Sequence, residues 1–236
     1  FVPKEGYTFL DADYSQIELR VLAHMSGDKK LIEAYKQDAD IHRLTASQVF
    51  GIPFDEVDET HRRSAKAVNF GIVYGIGAFS LSKNIGVSVA EAKEYIDNYL
   101  SNFSGVRDFM KGTVERAKKC GYVETMYKRR RYLPEINASN ANMRAAAERM
   151  AMNMPIQGTA ADIIKIAMIR VSNVLEQMNM KSKLILQVHD ELVAEVKKSE
   201  LEQVEKIIRA AMENVAELKI PLVVDVHYGK NWAAAK

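Results

Sequence analysis

The chain has 236 residues, 47% of them hydrophobic and 27% charged, and 33 Lys and Arg against 31 Asp and Glu leave a formal net charge of only +2. That balance describes an ordinary globular chain of one large domain or two closely packed ones, and it excludes a uniformly basic nucleic-acid binder. No apolar run approaches the roughly 18 residues of a membrane span, and no basic leader with a cleavage site is present, so a soluble intracellular protein is expected. The single Cys120 excludes an intrachain disulfide and has no Cys or His at zinc-ligand spacing.

Tyr7 to Asp13 reads as a strand, with Tyr7, Phe9 and Asp11 alternating with Thr8, Leu10 and Ala12 before a polar turn at Tyr14-Ser15. A chain that opens inside a strand lacks a partner for it, and the expectation is a fragment whose N-terminal neighbours have been removed. From Gln16 to about Phe50 the apolar spacing is helical, and Glu59 to Gly75 is a further long helix with carboxylates ahead of its basic first turns. Two more helices fit Val89 to Asn102 and Val106 to Lys119, the second capped by Gly121. Tyr122 to Leu133 reads as a hairpin. Asn142 to Met154 and Ile156 to Met178 form one long helical stretch that Pro155 should kink or break. Lys183 to Val188 and Glu191 to Val196 read as strands around a tight His189-Asp190 turn, followed by a helix over Leu201 to Leu218 and a last strand over Leu222 to Tyr228. The fold class is α+β.

Two carboxylates stand where carboxylates are costly. Asp13 ends an apolar strand, and Asp190 tips a hairpin flanked by Leu184-Ile185-Leu186 and Leu192-Val193. Taken alone, either one also fits an ordinary turn or cap residue. Phosphoryl transfer to a hydroxyl needs carboxylates from separate elements to converge on divalent metals about 3.5–4 Å apart, which two such positions could supply.

Cations are clustered at Arg62-Arg63 with Lys66, and at Lys128-Arg129-Arg130-Arg131. Arg62, Lys66, Phe70 and Tyr74 recur every fourth residue and make one slowly winding helical stripe about 18 Å long. Two cations at one end suit a triphosphate, and two aromatics at the other suit a sugar and base. The alternative is an amphipathic helix with its aromatics in the core and its cations in water. Both clusters also fit a merely solvated face.

Three longer stretches carry a resemblance. Asp13-Tyr14-Ser15-Gln16-Ile17-Glu18-Leu19-Arg20, the run from Arg62 through Lys66-Ala67-Val68-Asn69-Phe70-Gly71 to Tyr74-Gly75, and Val188-His189-Asp190-Glu191 resemble, in order, the three polymerase motifs of family A DNA polymerases. The likeness runs from end to end of the chain and includes Arg149, Asn153 and Gln157. It implies an antiparallel palm sheet carrying the catalytic carboxylates and a mainly helical fingers subdomain. Residues 1–20 and 150–236 would form the palm and 21–149 the fingers, with the thumb and exonuclease-like domain absent.

The resemblance also implies a DNA polymerase that adds deoxynucleotides to a primer by a two-metal mechanism. Asp13 and Asp190, helped by the Tyr14 carbonyl, would hold two Mg2+ ions, with Glu191 in support. Arg62, Lys66 and His42 would meet the triphosphate, Lys66 also protonating the leaving pyrophosphate. Phe70 would lie against the sugar, predicting poor acceptance of dideoxynucleotides, and Tyr74 would stack at the base pair. Gln16 and Glu18 complete the nucleotide site; Glu18 with Tyr74 would close the space a 2′-hydroxyl needs, which disfavours a relative of the single-subunit RNA polymerases. Gly71, Gly75 and Gly77 fit a helix that swings shut. Arg149, Asn153 and Gln157 would read the minor groove at the primer end, where acceptors hardly differ between correct pairs. His189 would lie near the primer terminus, and Arg129 and Arg130 on the DNA backbone, with a solvated hairpin as the alternative. The expected partners are primer-template DNA and deoxynucleoside triphosphates, with no membrane, for a monomer within a larger parent chain in the bacterial nucleoid. The rival is a catalytically silent fragment that binds nucleotide or DNA weakly because the thumb is missing.

Overall fold

The structure, a computed structural model, describes residues 1–235. It is a mixed helix and sheet fold with a small antiparallel sheet. The chain divides into two compact units, one of residues 1–17 with the chain from Ala160 onward, the other Glu18–Thr159.

The first unit is built on four antiparallel strands. Strand β1 (Tyr7–Tyr14) lies between β5 (Glu191–Lys197) and β6 (Val224–Gly229), and β4 (Lys183–Val188) pairs outside β5. Helix α9 (Leu201–Glu213) packs on β1, β5 and β6. Its buried Val204, Ile208 and Met212 recur at helical spacing. The buried Tyr14 donates its hydroxyl to the Met212 carbonyl at 2.8 Å, tying the end of β1 to that helix. Since successive strand residues face opposite sides, Leu10, Ala12 and Tyr14 share one face and Phe9, Asp11 and Asp13 the other.

The second unit is mainly helical: α1 (Ile17–Ser26), α2 (Lys29–Lys36), α3 (Ile41–Phe50), α4 (Glu59–Val73), α5 (Ala78–Ile85), α6 (Val89–Asn102) and α7 (Ser104–Cys120). A two-stranded hairpin of β2 (Tyr122–Glu124) and β3 (Arg130–Tyr132) follows. Helix α8 (Ala141–Gln177) gives its first part to this unit and its residues from Ala160 to the other. Around the hairpin, Ala117, Val123, Leu133, Ile136, Ala147, Ala151 and Met154 form one apolar cluster.

Several expected boundaries move. The helical stretch from Gln16 to Phe50 is three helices, because Gly27 and Asp38 take left-handed backbone and Asp28 and Asp40 each cap a new N-terminus through side-chain oxygens. Pro155 does not break α8; apolar residues on both sides of it, Ala151, Met154 and Ile156, are buried, and that packing holds the turn together despite the missing donor. Helix α9 stops at Glu213 and β6 starts only at Val224, with buried Ile220 and Leu222 between them outside regular structure. No helix among the described residues is long and apolar enough to cross a membrane.

Candidate active site

The sheet gathers acids. Asp13, next to the last residue of β1, stands in register with Glu191 on β5 and Asp225 on β6. Asp190 follows His189, whose backbone is left-handed at φ 52°, in the β4–β5 turn. The Asp190 carbonyl accepts from the Tyr14 N–H at 3.3 Å, and the His189 carbonyl from Gln187 Nε2 at 2.7 Å, so this turn is fastened to the end of β1 and to its own strand. Asp11, 3% exposed, lies on the same side of β1 as Asp13.

The crowding has a measurable consequence. The Asp13 carboxyl keeps an edge to solvent, yet desolvation by the surrounding protein, and then the charges of Asp190, Glu191, Asp11 and Asp225, push its pKa up to about 6. Every one of these influences opposes ionisation, and none of them is a cation. A hard divalent cation would reverse that balance. Magnesium takes one or two carboxylates and leaves its other positions to water and phosphate oxygens. The carboxylates of Asp13 and Asp190, with the main-chain carbonyl of Tyr14, are donors of that kind, whereas no three His, Cys, Asp or Glu side chains among the described residues form a ready-made cage. The Tyr14 side chain is committed to the core, so only its backbone is available to such a site.

The helical unit presents the second set of groups. Asp58 caps α4, whose buried face carries Ala65, Val68, Asn69, Ile72 and Val73. Arg62 and Phe70 are half-buried, and Lys66 and Tyr74 exposed. The aromatics of the stripe are therefore outside the core, and the arrangement with aromatics packed inward does not hold. Arg62 Nε donates to Asp40 Oδ2 at 2.6 Å; Asp40 also caps α3, so one carboxylate fixes both the helix start and the guanidinium. Tyr74, 41% exposed at the end of α4, donates its hydroxyl to Glu18 Oε2 at 3.0 Å.

His42 belongs to this set by a different route. It is 3% exposed, 6.0 Å from the Phe70 ring between centroids, and its Nδ1 lies 2.9 Å from Asn69 Nδ2. Thr45 Oγ1 donates to Asn69 Oδ1, which leaves the Asn69 amide as donor and His42 Nδ1 as acceptor. The imidazole proton is thereby assigned to Nε2. Burial, with Lys66 and Arg62 working against Asp40, lowers the His42 pKa to about 4, so the ring is neutral at physiological pH.

Beyond Tyr74 the chain turns at Gly75, whose φ is +65°; a Cβ there would sit 3.0 Å from the Met152 methyl and 3.2 Å from Arg149 Cγ. An open cleft of about 620 Å³ runs along this corner, lined by Phe70, Gly71, Tyr74, Gly77, Phe79 and Arg149 among others. Because α8 runs unbroken through Pro155, Arg149, Asn153 and Gln157 stay on one winding stripe. Asn153 Oδ1 is buried without a hydrogen-bond partner among the described residues, a state a polar group seldom keeps.

Over residues 1–234 the chain matches the profile described as DNA polymerase family A. The chain belongs to DNA polymerase family A. It is 51% identical over 235 residues to DNA polymerase I of Pseudomonas aeruginosa, 52% over 238 to that of Streptococcus pneumoniae, and 49% over 236 to that of Mycobacterium tuberculosis, in each case over its whole length. It spans only 26–27% of those relatives. A structure described as the POL domain of Pol1 from M. smegmatis, complexed with DNA primer-template and dNTP, matches all of this chain and 42% of that one, with a TM-score of 0.95 and 47% identity.

Several groups of this arrangement escape a reading of motifs alone. Asp40 and Asn69 act on Arg62 and His42 from a neighbouring helix and from the inner face of α4. Only the cap signature of Asp40, an aspartate immediately ahead of an apolar helix start, is visible in the sequence. Asp225 lies opposite Asp13 only through strand pairing, which no local pattern announces. Phe79, 61% exposed, sits in the short helix α5 that the periodicity did not resolve.

Proposed function

We propose that this chain is the nucleotidyltransferase core of a DNA polymerase, joining a deoxynucleoside triphosphate to a primer 3′-hydroxyl opposite a template and releasing pyrophosphate. The observation that carries this is the acidic sheet face, where four carboxylates act on Asp13 at the tip of the first motif, in a chain of family A. The unit with the sheet is the palm and the helical unit the fingers.

Two magnesium ions, held by Asp13, Asp190 and the Tyr14 carbonyl, would lower the pKa of the attacking hydroxyl and neutralise charge on the phosphates. The protein's own groups do the rest. Arg62, braced by Asp40, and Lys66 draw the triphosphate along α4, and the Lys66 ammonium gives a proton to the leaving pyrophosphate oxygen. His42 donates from Nε2 to a phosphate oxygen without adding charge. Phe70 supports the sugar, and Tyr74 faces the new base pair in the cleft. Tyr74 and Glu18, joined by their hydrogen bond, fill the space beside C2′, and Gln16 of the first motif is assigned to nucleotide binding as well. Glu191 supports the acidic cluster from β5. Arg149, Asn153 and Gln157 follow the minor groove, and His189 the primer terminus.

The test is extension of a labelled primer-template by the purified chain with magnesium and each deoxynucleotide in turn, beside Asp13→Ala and Asp190→Ala. Templated addition by the parent chain that vanishes in both variants is the expected result. A folded chain that binds primer-template yet adds nothing would replace this reading with that of a silent fragment.

A further inference from the structure

The hairpin that carries Lys128 to Arg131 is fastened to α8 by bonds that a hairpin merely facing solvent does not need. Thr159, fully buried, donates its hydroxyl to the Pro155 carbonyl at 2.6 Å and accepts from the Met126 N–H at 3.1 Å. One hydroxyl thus joins a helix carbonyl to the hairpin turn. Arg129 Nη2 donates to the Gly158 carbonyl at 2.9 Å, one residue earlier on the helix. The turn is itself closed on Thr125, whose Oγ1 accepts from the Tyr127 and Arg129 N–H groups at 3.2 and 3.3 Å. Lys128 there has the left-handed φ of 66°.

Gly158 makes this close approach possible. A Cβ at that position would come within 2.7 Å of Thr125 Cγ2, so only glycine lets helix and turn meet this closely. The cations are then held in one pattern. Lys128 and Arg130 share the Glu124 carboxylate, and Arg130 lies 4.4 Å from the Tyr122 ring centroid. All four cations are exposed; Arg129 is tied to the helix through the Gly158 carbonyl and Arg131 more weakly through Met150 Sδ at 3.2 Å, which leaves Lys128, Arg130 and Arg131 as the charges not bonded to the helix backbone.

We propose that Thr159, with Gly158, is a positioning residue for nucleic-acid binding: it locks the hairpin onto α8 so that Lys128, Arg130 and Arg131 meet duplex phosphates at a fixed offset from Asn153 and Gln157. This rests on the polymerase reading. It reassigns Arg129 from a DNA-binding group to a brace. Binding through phosphates is read out by salt, because every phosphate that a cation no longer neutralises lowers the slope of log affinity against log salt by about one. A change in stability alone does not move that slope.

The experiment measures affinity for a fluorescent primer-template across a salt series. Thr159→Val, which keeps the shape and removes the hydroxyl, is expected to weaken binding several-fold at low salt and to lower the slope by about one; Thr159→Ser, which keeps the hydroxyl, is expected to match the parent. Gly158→Ala should behave like Thr159→Val, and adding Thr125→Ser should restore it, since serine keeps the accepting hydroxyl and lacks the clashing methyl. An unchanged slope in Thr159→Val and Gly158→Ala overturns the inference, as does a Thr159→Ser as impaired as the valine or a Thr125→Ser that restores nothing. Should the valine variant not melt cooperatively, the Gly158 and Thr125 pair decides alone. A parent chain with no salt-dependent binding at all overturns the polymerase reading and this inference with it; a parent that binds, beside variants that match it, overturns this inference only.

Discussion

The two units solve opposite electrostatic problems. On the sheet, Asp13 is surrounded by like charges and carries no cation among the groups that act on it; in the helical unit, Arg62 is already held by Asp40, His42 by Asn69 and Tyr74 by Glu18. The first arrangement, by burial and like charge, holds the Asp13 carboxyl against ionisation. The second holds donors and acceptors at fixed angles before any ligand arrives, which reduces the ordering that binding would otherwise cost. One site is therefore frustrated and the other preorganised, and substitutions should separate them.

The largest effect is expected where the frustration is. Asp13→Ala or Asp190→Ala should lower primer extension by at least about a thousandfold, since metal-centred charge stabilisation amounts to several kcal/mol. Single-turnover extension checks it, and comparable rates in the variants would remove the acids from the chemistry. Lys66→Ala should follow at about a hundredfold, the usual scale of a proton-donating side chain, and mainly in kcat. A loss confined to KM would leave Lys66 a binding group only.

Glu18→Ala should come next, with ribonucleotide discrimination falling by an order of magnitude or so as one bulky group leaves the space beside C2′. Tyr74→Phe should shift that ratio less, because it deletes only the bond at 3.0 Å and keeps the ring. Competition between matched ribo- and deoxynucleotides reads both. If Tyr74→Phe exceeded Glu18→Ala, the hydrogen bond rather than the glutamate's bulk would set the sugar choice.

Stability should divide the sites in the opposite sense. The folded pKa of Asp13, about 6, lies above its ordinary 3.8, so ionising it costs the folded state increasingly as pH rises from about 4 to 6. Asp13→Asn should stabilise the metal-free protein at pH 7 to 8 by on the order of 1 kcal/mol after allowance for its solvent-facing edge, and not at all below pH 4. His42 has the reverse dependence. Its folded pKa of about 4 lies below the ordinary 6.5, so the unfolded chain takes up the proton first and stability falls as pH drops from about 6.5 to 4. Denaturant melts at pH 7 and 4.5 should show His42→Gln spared about 2 kcal/mol of that acid loss. Equal acid sensitivity in both proteins would place the neutral imidazole elsewhere.

Much of this was legible in the sequence because it is periodic or local. The strand from Tyr7, the helix from Val89 to Asn102, the Gly121 cap and the His189-Asp190 turn follow from alternation, spacing and turn chemistry. What escaped depends on tertiary context. Pro155 breaks a helix only where nothing else holds the turn, and here buried neighbours on both sides do. The stretch from Gln16 to Phe50 hid two caps inside one helical period. The roles of Asp40, Asn69 and Thr159 arise from side chains meeting across elements, which no pattern along one element encodes.

The strand order has a consequence for how such a chain is made. The strand bearing Asp13 precedes both its neighbours in the sheet, residues 191–197 and 224–229, with the whole helical unit between. During synthesis that strand can gain neither of these two neighbours until the intervening helical unit has emerged. A chain cut short before the β4–β5 turn lacks Asp190 and both sheet neighbours of β1 together. Incomplete products of this kind carry Asp13 without Asp190, and on the proposed reading the fold alone would keep them from adding a nucleotide, without any separate device to silence them.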